Sequence, residues 1–499
     1  MATLGLEREI IDQSVYDNTV QRFREQGIAL PTFAQLADPT TIPDKVKAAL
    51  EGVDPDAPHP LNLFRVHWYN DADRKQPAAV PGYVVLPPEL TGIPSPIVVI
   101  LGERFPMIRT HKVLAAYGCL APRIITGQFD PTQHMALWPS TGNYCRGGVA
   151  ISRIMGCHGV AILPEGMSKE RFDWLDEWVV AHEDIVRTPG TESNVKEIYD
   201  KCAELDSDPH NIIFNQFSEF GNHLVHYLAT GKAVAHAFED YRRDHPNLRM
   251  RAFASATGSA GTIAAGDYLK DVYGALIAAS EAVECPTLLE NGFGEHNIQG
   301  IGDKHVPYIH NAMNTDVVVA ISEVATDQLD VLFNTEVGRK YLVERQGVSP
   351  ELAAHLGSFG LSSICNILTA IKVARHYQWG PDDAIVTVAT DAATMYRSEH
   401  AKAIETYFGG AFDEVHAGEV FGRHILGAAT DNMLELDAVD RRRVFNLGYY
   451  TWVEQQGVSI SDFVARRDQA YWVRLREWLT DWDEMIGDFN ARTGVLEAL

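Results

Sequence analysis

Lys112 ends the run Arg109-Thr110-His111-Lys112, a short distance past the apolar, strand-like Ile97–Leu101. A lysine just beyond a buried strand is partly desolvated, which lowers its pKa and frees its amine for Schiff-base chemistry. Three other segments gain meaning only beside it. Ser140-Thr141-Gly142-Asn143 opens the helix-like Gly147–Met155. Hydroxyls and an amide at a helix start can hold a carboxylate, although the same residues also make an ordinary cap. Thr257-Gly258-Ser259-Ala260-Gly261-Thr262 lies between the strand-like Arg251–Ala254 and the helix-like Ile263–Lys270. Its small residues let the backbone approach a phosphate while hydroxyls and helix-start amides donate to it. Neither G-x-x-x-x-G-K-[ST] nor G-x-G-x-x-G is present there, which counts against ATP and dinucleotide sites. Gly294-Glu295-His296-Asn297-Ile298-Gln299-Gly300-Ile301-Gly302 is a tight loop suited to lie against a flat ligand.

The elements that must position these segments are buried strands alternating with amphipathic helices. Ile97–Leu101, Val160–Leu163, Leu276–Ala279, Val317–Ile321 and Ile385–Ala389 are short apolar runs, each followed by turn residues and a helical pattern. That alternation predicts an α/β architecture of open, mostly parallel sheet covered by helices. Ala370–Tyr377 is expected to be a helix stopping ahead of Pro381. Residues 1–95, rich in proline and charge, are expected to form an N-terminal extension, and residues 401–499 a helical C-terminal extension. Tyr471, Leu475, Trp478, Trp482 and Met485 recur at helical spacing and make one apolar stripe. The stripe either packs on its own domain or forms a subunit interface, which would make the protein a homodimer or larger.

The chain has 499 residues and a formal net charge of −25. Such an excess of carboxylates disfavours nucleic acid and anionic membrane as partners. Six cysteines are scattered without a C-x-x-C pair, so neither a disulfide framework nor a metal site is expected, and reduced thiols in the cytoplasm are. No apolar run is long enough to span a membrane.

Taken in order, the four segments resemble the cysteine synthase and cystathionine β-synthase group of fold-type II pyridoxal 5′-phosphate (PLP) enzymes, over about Glu103 to Tyr396. Further pieces fall in the family's order: Pro164–Arg171, Asn215-Gln216-Phe217 with Asn222, His226-Tyr227 and Thr230-Gly231, and Gly360-Leu361-Ser362-Ser363. The resemblance implies a tryptophan synthase β-like fold with the cofactor between two domains. Residues 96–130 and 236–400 would form the large cofactor-binding domain, and 131–235 a small mobile substrate domain. It further implies that Lys112 carries PLP as the internal aldimine and that Asn143 bonds the cofactor's 3′-oxygen. Thr257 to Thr262 would cradle the phosphate, Gly300 would lie beside the ring, and Ser140, Thr141 and Gln216 would grip the carboxylate of a small amino-acid substrate. The reaction implied is β-elimination or β-replacement on a β-substituted L-alanine through an aminoacrylate. An ammonia-lyase or dehydratase of the same fold, or a catalytically silent binding protein, is the alternative.

This chain departs from the family in places. Val113 and Leu114 follow the lysine where the family has a basic-acidic pair, and Tyr144-Cys145-Arg146-Gly147 looks nearer to diaminopropionate ammonia-lyases. Ala392 stands where a Ser or Thr faces the pyridine nitrogen, leaving Thr390, Asp391, Thr394 or no side chain as its partner. His111 and Cys145 are candidate accessory groups, each also readable as core packing.

Overall fold

A computed structural model describes residues 3–499. Eleven strands run in chain order: β1 Tyr83–Leu86, β2 Ile97–Leu101, β3 Met135–Pro139, β4 Gly159–Pro164, β5 Ile185–Thr188, β6 Asn211–Ile213, β7 Arg249–Ala256, β8 Leu276–Ala282, β9 Val317–Ile321, β10 Asp383–Ala389 and β11 Met433–Glu435. They form a seven-stranded sheet, β1-β2-β10-β7-β8-β9-β11, and a four-stranded sheet, β5-β4-β3-β6. The smaller sheet is parallel throughout, as are the five central strands of the larger one. Every residue of β2, β9 and β10 is buried. That is why β2 and β9 read as unbroken apolar runs and not as alternating ones.

Both sheets reverse their winding once. In the small sheet β3, β4 and β5 are laid down side by side, and β6 then returns to the other edge of β3. In the large sheet β7, β8 and β9 proceed one way and β10 returns beside β7. A crevice opens outside the carboxyl ends of neighbouring strands at such a reversal, because their connections leave to opposite faces. Ser140–Asn143 follows β3 and Gln216 follows β6; Thr257–Thr262 follows β7 and Thr390–Ala392 follows β10. The topology alone therefore delivers the candidate segments to two crevices.

The terminal segments do more than extend this body. β1 adds antiparallel to β2 and β11 antiparallel to β9, so both edges of the large sheet come from them. The helix Gln13–Gln26, capped by Asp12 and ended by Gly27 in the left-handed conformation, packs on the helix Glu477–Thr493. Tyr16 and Phe23 meet Phe489 edge to face at 5.6 and 5.2 Å. The aromatic stripe is consumed within the chain: Leu475 and Trp482 are buried, and the indoles of Trp478 and Trp482 donate to the carbonyls of Leu6 and Glu7 at 2.9 Å. Of the two readings of the stripe, intramolecular packing is the one observed. Arg123 and Glu219, both buried, pair at 3.2 Å and pin the helix Lys112–Ile125 to the segment after β6. All six cysteines are buried and unpaired. Among the described residues no helix is long and apolar enough to cross a membrane.

Candidate active site

Lys112 is the first residue of the helix Lys112–Ile125, whose positive end already disfavours a cation there. Its Nζ is buried and donates to Ser259 Oγ at 3.0 Å and Gln216 Oε1 at 3.1 Å. One amine thus joins the turn after β7 to the segment after β6. Burial lowers its pKa to about 8, against the opposing pull of the nearby Asp303 and Glu192 carboxyls. About a tenth of a population with that pKa is neutral, and therefore nucleophilic, at pH 7.

The Gly-rich turn is shaped for close approach. Ala260 takes φ +61°, and a Cβ on Gly261 would sit 2.1 Å from Asn222 Oδ1. Asn222 donates to Gln216 O and Ser259 Oγ at 2.8 and 3.1 Å, tying the turn to the Gln216 segment. Thr257 anchors the start through its N–H and hydroxyl, both donating to Ser280 O. Gly258 passes Gly300 so closely that a Cβ would lie 2.9 Å from its carbonyl, and Gly300 itself has φ +103°. His111, Lys112, Gly258, Thr262, Gly300 and Thr390 line one cavity.

Asn143, first residue of the helix Asn143–Met155, donates to Asp391 Oδ2 at 2.6 Å and accepts from Arg146 at 3.0 Å. Tyr396 also donates to Asp391 Oδ2, at 2.6 Å, and accepts from Arg171 at 3.0 Å. Arg171 is fully buried and donates to Gln299 Oε1 at 2.6 Å. The Pro164–Arg171 segment, the Gly294–Gly302 loop and the strand end after β10 are thereby locked together. Ser140 Oγ accepts from Gly142 N at 3.0 Å and folds its loop upon itself. Thr141 donates instead to Glu192, a residue singled out by no motif.

The structure brings Lys112, Gln216, Thr257–Thr262 and Gly300 together, and gathers Ser140, Thr141 and Asn143 on the adjoining loop. Around the departure at Ala392, which is buried, the candidates separate. Thr394 is exposed, Thr390 lines the cavity, and Asp391 is buried with Oδ1 lacking a hydrogen-bond partner. His111 has the marks of a packing residue: it hydrogen-bonds Thr262 at 2.7 Å and stacks on Trp68, and burial pushes its pKa down to about 3. The Cys145 thiol contacts Gly142 O at 2.8 Å, and burial raises its pKa to about 12, leaving it protonated and unreactive.

No protein-family model matches the chain. It is 28% identical over 257 residues to cysteine synthase B of Campylobacter jejuni, covering 50% of this chain and 75% of that one. The chain is similar in sequence to a cysteine synthase. It is also 24% identical over 289 residues to cystathionine β-synthase of Saccharomyces cerevisiae, covering 54% of this chain and about half (51%) of that relative's length. Solved structures share the fold: a hydrogen sulfide-producing enzyme of Fusobacterium nucleatum has a TM-score of 0.52 at 19% identity, covering 66% of this chain and 98% of that one. An O-acetylserine-dependent cystathionine β-synthase of Helicobacter pylori has a TM-score of 0.51 at 20% identity, covering 64% and 94%. The fold is that of the fold-type II PLP enzymes, and cysteine synthases use PLP. The residues present suit that cofactor. A buried, pKa-lowered amine and a turn of small residues at a strand-to-helix junction are what an aldehyde and a phosphate on one molecule require.

Glu192 and Asp303 escaped sequence reasoning. Glu192 lies four residues beyond β5, after Pro189-Gly190-Thr191, and Asp303 just beyond Gly302; turn residues before each are the only local signal.

Proposed function

We propose that the protein is a PLP-dependent enzyme that carries out β-elimination or β-replacement on a β-substituted L-alanine-type amino acid. The single observation that carries this reading is the buried Lys112 amine held between Ser259 and Gln216. Lys112 would hold the cofactor, Asn143 would face its 3′-oxygen, and Thr257–Thr262 would take its phosphate with Gly300 beside the ring. PLP, when bound, supplies the electron sink that makes an amino acid's Cα–H acidic.

The chain's own residues supply position and proton transfer. Ser140, Thr141 and Gln216 would fix the substrate carboxylate on one side of the cleft, so that Cα–H stands across the ring plane. Lys112 Nζ would be the base that takes the Cα proton, and its pKa of about 8 suits a base working near neutrality. Burial of the whole constellation keeps water from the reacting carbon. Residues 96–130 with 236–400 would move as one domain against 131–235, and the cytoplasm is the expected compartment for six reduced thiols.

The test is a screen of β-substituted alanines, O-acetylserine and cysteine among them, read by pyruvate release and by thiol addition. Turnover of at least one is expected, with Gln216→Ala raising KM and lowering kcat together, since orientation and binding are lost at once. Amino-group exchange with accumulation of pyridoxamine phosphate and no β-product would contradict the reading.

A further inference from the structure

Two carboxyls lie beside Lys112 that the proposed chemistry leaves without a task. Glu192 is 1% exposed and Asp303 6%. Glu192 Oε1 accepts from Thr141 Oγ1, in the loop after β3. It therefore stands against the loop that would hold the substrate. Glu192 Oε2 and Asp303 Oδ2 are both buried with no hydrogen-bond partner. The nearest cation to Oε2 is Arg171 Nη1 at 3.8 Å.

Arg171 pairs with Glu192 only at that distance, and the close hydrogen bonds of the surrounding guanidinium groups go elsewhere. Arg171 donates to Gln299 and Tyr396, and Arg146 to Asn143 and the Ile108 carbonyl. Lys112 is thus the one amine that answers both acids, and it donates to Ser259 and Gln216 instead. Burial raises both carboxyls, Glu192 to about 7 and Asp303 well above its usual range. The charged or titratable groups facing Glu192 are Arg171 and Lys112, which favour its ionised form, and Asp303 and Tyr396, which oppose it. Two unpartnered acid oxygens in a dry cleft are a poor host for an anion. A ligand ammonium placed there would gain charge-assisted hydrogen bonds to both.

We infer that Glu192, supported by Asp303, selects substrates by side-chain charge, favouring an amino acid whose β-substituent is cationic and rejecting one whose β-substituent is anionic. This rests on the reading of Lys112 and the Thr141 loop as the substrate cleft. Specificity here is repulsive as well as attractive, since an anionic substituent would oblige both carboxyls to stay protonated whereas a cationic one draws out their ionised form.

The experiment uses the PLP-loaded enzyme and ligands that share a backbone but differ in side-chain charge. Affinities for L-2,4-diaminobutyrate, L-asparagine and L-aspartate are measured by calorimetry on the wild type, Glu192→Gln and Asp303→Asn. The wild type should prefer diaminobutyrate over aspartate at least tenfold, and Glu192→Gln should cut that preference at least tenfold, with Asp303→Asn moving it the same way. Binding of the cationic ligand at pH 6.5 should also release protons, seen as a heat that depends on buffer ionisation enthalpy, and Glu192→Gln should reduce that release. A preference for aspartate in the wild type, or a preference that stays within twofold in both variants, overturns the assignment. Because binding is read without turnover, an enzyme that ranks these ligands as expected yet performs no β-chemistry would refute the proposed reaction and leave the charge selection standing.

Discussion

Raising the pH should speed covalent capture of PLP by the apoprotein only until Lys112 is already neutral. With a pKa of about 8, about a tenth of the amine is neutral at pH 7. An ordinary lysine at its model value of 10.5 would be neutral in about one molecule in three thousand, so burial enriches the reactive form roughly 300-fold. The perturbation is pH from 6 to 10, and the assay is stopped-flow absorbance of apoprotein mixed with excess PLP. Each rate is divided by that of N-acetyl-lysine amide with PLP under the same buffer, which removes the cofactor's own titration. The free lysine keeps gaining neutral amine up to about pH 10.5, while the enzyme stops near pH 8. The quotient should therefore be flat below pH 8 and fall about tenfold per unit above it. Glu192→Gln removes a carboxyl that holds the amine's pKa up, so the break should move to lower pH. A quotient flat to pH 10 would show an amine titrating like a solvated lysine and refute the desolvation argument.

Gly258→Asp would put a carboxylate into the turn, with its Cβ 2.9 Å from the Gly300 carbonyl. PLP retention, followed by dialysis, should weaken at least tenfold, and full retention in a folded variant would place the phosphate elsewhere. Arg123→Met strands the buried Glu219 and should cost about 3–5 kcal/mol in urea unfolding. Adding Glu219→Gln should recover part of that loss. Trp482→Ala empties a fully buried site beneath the N-terminal segment and should cost about 3–5 kcal/mol. Truncation after Ala465 should likewise give an unstable chain and not a soluble lower oligomer.

The central strands were legible because burial on both faces writes a continuous apolar run; Ile97–Leu101 and Val317–Ile321 are observed at the bounds the sequence suggests. The helix suggested at Ala370–Tyr377 is longer, Leu361–His376, because Gly360-Leu361-Ser362-Ser363 reads locally as a turn although its residues start the helix. β1 and β11 left little trace. Four- and three-residue edge strands carry half-exposed side chains and no periodicity to detect. Lys112, Gln216 and the Gly-rich turn were legible as motifs, and the two winding reversals explain why segments 100 to 150 residues apart converge. Glu192 and Asp303 were not, because a buried acid is defined by what folds over it. The fate of the Tyr471–Met485 stripe was likewise undecidable from spacing, since an apolar helix face looks alike whether its cover is the chain's own Leu6–Glu7 segment or a second subunit.

The residue to which PLP attaches tests the site most directly. The purified protein should be yellow, and borohydride reduction followed by peptide mass mapping should place the pyridoxyl group on Lys112, with the visible absorbance absent from Lys112→Ala. A pyridoxyl group on any other lysine, or an unlabelled protein after saturation with PLP, would contradict the site.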